Sequence, residues 1–166
     1  MIHYTNINKN FSVSDYIGVL EDGAITEKSG KVKRKSKVFF IKDTSICKEI
    51  FNLINETTVI QLTDIEPLQY SEYGVDDEYG WHRDVHDEPY SNGLVRKVSF
   101  STILNDDFEG GEFDIETKNP MDKKRYETFE SKEYNTIIFP AHMWHRVRPV
   151  KSGVRKSIVG WLLGRP

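Results

Sequence analysis

A chain of 166 residues with a formal net charge of -3 at pH 7 can bury one sizeable core but is short for two ordinary domains. The mild negative charge offers no general attraction for phosphate backbones and argues against a dedicated nucleic-acid binder, while a lone cysteine, Cys47, excludes an internal disulfide and suits a reducing, cytoplasmic setting. The opening residues MIHYTNINKNFSVSD lack a basic start followed by an apolar run, and no stretch approaches the roughly 18 apolar residues of a membrane span. The expectation is a soluble, unprocessed, single domain over 1–166.

Residues 1 to about 60 mix polar stretches with one helical pattern and read as a support region. Within them KSGKVKRKSK at 28–37 concentrates positive charge, either for an anionic partner or, as composition favours, as a solvated loop leading into a strand. KVFFI at 37–41 is rich in β-formers. Asp43 or Thr44 can then cap a helix over about 44 to 56, because Ile46, Ile50, Phe51 and Ile54 recur at spacings of three and four. From Leu68 onward short strands follow one another: LQYSEY, EYGWHRD, VRKVSFSTIL, GEFDIE, YETF, NTIIFP, WHRVRPV and VRKSIVGWLL. Asn92-Gly93, Gly110-Gly111 and Ser152-Gly153 supply turn residues that tolerate positive φ. The acidic run Asp76-Asp77-Glu78 reads as a solvated turn, with a cation site as the alternative. Many short antiparallel strands with one or two supporting helices predict a mainly β (α+β) jelly roll or sandwich.

Four of the five histidines fall between positions 82 and 145, and two of them share the segment His82-Arg83-Asp84-Val85-His86. In an extended chain residues two apart point to the same side, so His82 and Asp84 present an imidazole and a carboxylate together while Arg83 points away. A histidine from a separate strand, His142 or His145, would complete a two-histidine, one-carboxylate facial set of the kind that suits non-haem iron(II). An HxD pair alone occurs often by chance.

The surroundings add weight. YGWHRD, RKVSFSTIL, the loop DFEGGEF and IIFPAHMWHRVRPVKSGVRKSIVGW resemble, in order, the landmarks of the prolyl-4-hydroxylase-like branch of the 2-oxoglutarate and iron(II)-dependent dioxygenases. Residues 67 to 163 are most similar to its PKHD-type hydroxylases, versions in tailed bacteriophages included, and residues 1–60 match loosely. The resemblance implies a double-stranded β-helix. It implies a metal held by His82, Asp84 and His145, with His142 spare and His86 at the rim or hydrogen-bonded outside the metal. It places Arg155 on the distal carboxylate of 2-oxoglutarate, aided by Tyr73 and Ser157, and Tyr79 and Trp161 near the substrate. A turn at Lys151-Ser152-Gly153 would return the Arg155 strand beside that of His145. The glycine directly after Tyr73 departs from the family's usual spacing and puts the local loop shape in doubt.

The implied cofactors are Fe(II), 2-oxoglutarate and O2, with ascorbate as an accessory reductant. The implied reaction is hydroxylation of an unactivated C–H bond with release of succinate and CO2. The substrate would be a protein, a peptide or a small molecule, with peptidyl proline as the first guess, and a phage-encoded version would work in the host cytoplasm. Asp84 argues for hydroxylation over halogenation, since related halogenases lack that carboxylate. The acidic loops at Asp76–Glu78 and Asp87–Glu88 are expected to flank the entrance. The competing readings are a non-catalytic jelly-roll binding module and a zinc hydrolase, the latter lacking an HExxH helix.

Overall fold

A computed structural model describes residues 2–6, 13–23, 32–119 and 121–166. The amino-terminal part contributes strands β1 (His3–Asn6), β2 (Glu21–Asp22), β3 (Arg34–Lys35) and β4 (Lys37–Ile41), followed by helix α1 (Thr44–Asn55). Next come β5 (Asp64–Ile65), β6 (Leu68–Tyr73), β7 (Glu78–His82) and the long β8 (Val95–Ile103). The carboxy-terminal part holds β9 (Glu109–Gly110), β10 (Phe113–Glu116), β11 (Tyr126–Phe129), β12 (Asn135–Pro140), β13 (His145–Val147), β14 (Val150–Ser152) and β15 (Arg155–Gly164).

Among the described residues an eight-stranded antiparallel sheet runs β1-β12-β8-β15-β6-β4-β2, with β5 also on β15, and a five-stranded sheet runs β11-β10-β13-β7-β3. β14 and β9 form a separate two-stranded sheet. This is the expected jelly-roll architecture, and the helix begins where its pattern predicts. Of the two expected caps Asp43 is the one used: its carboxylate accepts the backbone N–H groups of Ser45 and Ile46, which have no partner within the helix.

Alternation along the central strands places the site. On β6, β8 and β15 one set of side chains, including Leu68, Tyr70, Val98, Phe100, Ile158 and Leu162, packs with Ile46, Ile50 and Ile54 of α1 in one core. The alternate set on the same strands is Gln69, Ser71 and Tyr73, then Ser99 and Ser101, then Arg155, Ser157 and Trp161, all of them buried and turned toward the second sheet. Each fully buried aliphatic side chain on the helix side contributes about 1.5–3 kcal/mol, so the apolar layer holds the sheet rigid while the other face carries polar groups.

The structure redraws three expectations and adds a pairing between the charged runs. The strand EYGWHRD ends at His82, so Asp84 lies beyond it and is not placed by strand alternation. WHRVRPV divides into β13 and β14, because Arg148-Pro149 interrupts the ladder. Arg155 does not return beside His145: β15 pairs with β5, β6 and β8 in the other sheet, and the two residues face one another across the fold. The charged runs, finally, answer each other across the β3–β7 ladder, where Lys33 bonds Glu78 at 2.7 Å and Lys35 bonds Asp77 at 2.7 Å. Residues 28–31 of the basic run lie outside the described residues.

Candidate active site

His82 closes β7 and His145 opens β13, and the two are register partners with ring centroids 4.1 Å apart. The main chain aims both rings: His82 Nδ1 lies 2.8 Å from the Gly80 carbonyl oxygen and His145 Nδ1 lies 2.9 Å from that of Met143. A carbonyl only accepts, so each Nδ1 carries a hydrogen, and in the neutral ring the lone pair then sits on Nε2. Those lone pairs face Asp84, with His82 Nε2 3.7 Å from Oδ1 and His145 Nε2 3.5 Å from Oδ2. One ligand atom from each of the three residues falls within 4.8 Å of the others, and all three residues are buried. Tyr79 lies flat on His82 with centroids 3.5 Å apart, supporting the ring from behind.

Protonation states suit a cation. Burial first, and the neighbouring His145 second, push the His82 pKa down to about 3, so the ring is neutral at physiological pH and free to ligate. Burial alone would raise the Asp84 carboxyl, but the group is held below the ordinary range and stays ionised, the Ser99 hydroxyl favouring the charged form. Ser99 Oγ donates to Asp84 Oδ2 at 2.7 Å. The Trp161 indole N–H is close enough to lower the same carboxyl while making no hydrogen bond of its own. Two histidines and one ionised carboxylate form a donor set that fits iron(II) and leaves coordination positions open.

A second buried feature shares the cavity. Arg155 is 1% exposed, and its Nη1 donates to Ser157 Oγ at 3.0 Å, but Nε and Nη2 have no partner. These two atoms lie on one edge of the guanidinium, at the spacing of a carboxylate's two oxygens. Leaving a buried charge so incompletely satisfied costs several kcal/mol by order of magnitude, which a bound carboxylate would offset. Burial draws the Arg155 pKa down to about 10 against the opposing effect of Tyr73, so the side chain stays cationic at neutral pH.

A cavity of about 210 Å³ joins these groups, lined by His82, Asp84, His145, Arg155, Tyr73, Ser157, Tyr79 and Trp161. Each residue that the resemblance assigned to metal, co-substrate or substrate therefore borders one space. Glu21, Asp22 and Phe40, all exposed, line it too and mark its mouth, so the entrance is edged by β2 and β4; Asp76–Glu78 and Asp87–Glu88, the loops expected there, do not line it. His86, in edge contact with Tyr90, and His142, in the turn after β12, are exposed and border a separate cavity of about 300 Å³. Sequence reasoning missed Ser99, although serines at alternate positions in VSFSTI are a signal that one face of that strand is polar. It also missed Arg96 and Glu66, whose pairing spans thirty residues.

Comparison with known proteins agrees with this geometry. Residues 68–163 match the 2OG-Fe(II) oxygenase superfamily, and the chain belongs to that family. A PKHD-type hydroxylase of Synechococcus sp. (strain CC9902) is 33% identical over 100 residues, covering 59% of this chain and 41% of the relative. A second, from Prochlorococcus marinus (strain NATL1A), is 33% identical over 125 residues, covering 74% of this chain and 52% of the relative. The chain thus spans about half the length, or less, of these two curated relatives. Among solved structures, the fold is similar to a Trichoplax adhaerens prolyl hydroxylase in complex with a hypoxia inducible factor oxygen degradation domain peptide fragment. That likeness has a TM-score of 0.69 at 19% identity and covers 97% of this chain and 82% of the other. The family and the buried His–Asp–His group together support Fe(II) and 2-oxoglutarate as the cofactors. Among the described residues no helix is long and apolar enough to cross a membrane.

Proposed function

We propose that the chain is an iron(II)- and 2-oxoglutarate-dependent hydroxylase acting on a C–H bond of a polypeptide, with peptidyl proline the first substrate to try. The observation that carries the reading is one cavity lined both by the His82–Asp84–His145 cluster and by the unpaired edge of Arg155. His82, Asp84 and His145 would hold the metal. Arg155 would clasp the distal carboxylate of 2-oxoglutarate through Nε and Nη2, with Ser157 fixing the far side of the guanidinium and Tyr73 beside it.

The chemistry supplied when iron(II), 2-oxoglutarate and O2 are bound is oxidative decarboxylation to succinate and CO2, coupled to hydroxylation, with ascorbate as an accessory reductant. The chain's own part is positioning and exclusion. Phe113, Val147, Val159 and Trp161 give the cavity apolar walls that keep water from the reacting centre. Tyr79 and Trp161, which both line the cavity, would lie near the substrate. The peptide bound to the similarly folded Trichoplax prolyl hydroxylase supports a polypeptide substrate. A non-catalytic jelly-roll module is the weaker reading, since it would have no use for a buried ligand cluster beside an unsatisfied buried cation. Residues 67–163 would form the catalytic core of a single domain, with the preceding residues as its support.

Anaerobic addition of iron(II) and then 2-oxoglutarate tests this. The expected result is a weak visible charge-transfer band, lost in His145→Ala and requiring far more co-substrate in Arg155→Ala. Folded, iron-loaded protein without that band would refute the reading.

A further inference from the structure

Asp84 lies two residues beyond the end of β7, with no ladder partner. Two bonds fix its backbone: its N–H donates to the Ala141 carbonyl at 3.0 Å, and its own carbonyl accepts from Arg96 Nη1 at 3.1 Å. Arg96 is engaged on its other edge as well. Nε and Nη2 each donate to a different Glu66 oxygen at 2.6 Å, the fork-to-fork pairing that fixes a guanidinium in plane. Its flat face lies 3.9 Å from the centroid of Trp161. Glu66 is itself anchored, since its backbone N–H donates to the Trp161 carbonyl at 3.0 Å and the Tyr90 hydroxyl donates to its Oε1 at 2.7 Å.

The result is a closed circuit from the Trp161 main chain to Glu66, from Glu66 to Arg96, and from Arg96 back to the Trp161 ring, with a branch to Asp84. The Arg96 side chain is only 9% exposed, so water does little to loosen it. We infer that Arg96 is a positioning residue that holds the Asp84 carboxylate and the Trp161 wall in one fixed relation, coupling metal affinity to the shape of the substrate wall. Only arginine can do all three things at once, because a planar guanidinium bonds along two edges while stacking through its face. Lysine would keep the charge and lose the geometry. The metal arm of this inference rests on the reading of the cavity as an iron site.

The test uses the full chain and two readouts, neither of which is turnover. Anaerobic calorimetry measures iron(II) affinity without 2-oxoglutarate. Acrylamide quenching of the metal-free protein, in a Trp81→Phe, Trp144→Phe background that leaves Trp161 as the sole tryptophan, reports on the wall. Arg96→Lys and Arg96→Gln are expected to weaken iron binding roughly 10- to 100-fold, the usual effect of losing a partner that orients a ligand, and to make Trp161 more quenchable. Glu66→Gln should move both readouts in the same direction by less. Ile54→Ala, on the far side of the sheet, lowers stability and should leave both at the wild-type value. Wild-type iron affinity in folded Arg96→Lys, or unchanged quenching, overturns the inference; if Arg96→Gln does not fold, Arg96→Lys and Glu66→Gln decide. A wild-type protein that binds no iron refutes the oxygenase reading instead, and the quenching series then decides the Arg96–Trp161 link alone.

Discussion

Arg155 and Tyr73 are direct register partners across β15 and β6, with the guanidinium carbon 5.5 Å from the centroid of the phenol ring. Paired residues in an antiparallel ladder project to the same face, so a cation and an aromatic hydroxyl come from two distant segments to the same side of the cavity. Hydrogen bonds to charged groups contribute about 1.5–3 kcal/mol each, and Arg155 has two to give. Arg155→Ala is therefore expected to raise the KM for 2-oxoglutarate by about 100-fold or more, with Arg155→Lys between it and wild type. Tyr73→Phe should cost about tenfold. Succinate formation at varied co-substrate concentration is the measurement. Because the useful form of Arg155 is protonated and its pKa is about 10, co-substrate affinity should hold across neutral pH and fall as pH rises toward that value.

Ser99 holds one oxygen of Asp84 from the opposite sheet. Ser99→Ala leaves the apolar packing of β8 intact and is expected to weaken iron(II) binding roughly 10- to 100-fold. Ser99→Thr, which keeps the hydroxyl, should recover most of the loss in the same anaerobic titration.

Asp114 is fully buried yet accepts from Arg146 Nε and Arg148 Nε at 2.7 Å each and from Thr128 Oγ1 at 2.7 Å. Burial would raise its carboxyl, but Arg148, Thr128 and Arg146 together carry it below the ordinary 3.8. A carboxylate with a depressed folded pKa stabilises the fold above its unfolded value, and that contribution disappears as pH falls through the folded one. The arginines are partly solvated, so Asp114→Asn is expected to cost about 2–3 kcal/mol at pH 7, below the usual range for breaking a fully buried pair. In urea denaturation the gap between wild type and variant should be constant from neutral pH down to about 4 and shrink below it.

Gly111 has φ of 61°, and a Cβ there would meet Arg155 Cδ at 2.9 Å and Val150 Cγ2 at 3.1 Å. Gly111→Ala should cost about 1–2 kcal/mol from the left-handed backbone alone. It should also push Arg155 off its place, so that the urea midpoint falls and the KM for 2-oxoglutarate rises together.

Much of this fold was legible before any coordinates. The helix announced itself through Ile46, Ile50 and Ile54, whose spacing suits one face of a helix and little else. Strands such as LQYSEY and RKSIVGWLL were legible as strands, but their alternation between apolar and polar side chains has two meanings, because a polar residue on a strand can face water or a cavity. Gln69, Ser71, Ser99 and Ser157 face the cavity and are buried. That choice depends on a second sheet whose strands lie elsewhere in the chain. The same reason hid the circuit through Arg96, Glu66 and Trp161, three residues with no common local pattern.

The sequence by itself determined the chemical inventory: His82, Asp84, His145 and Arg155, the strand-rich pattern that carries them, and the family resemblance that ranked His145 above His142. Tertiary structure decided the arrangement. It set Asp84 outside its expected strand, put Arg155 in the sheet opposite His145, edged the cavity with Glu21 and Asp22, and matched the basic and acidic runs to each other. Local periodicity reports only which neighbours share a face; which distant strand that face meets is fixed by register and burial across the whole chain.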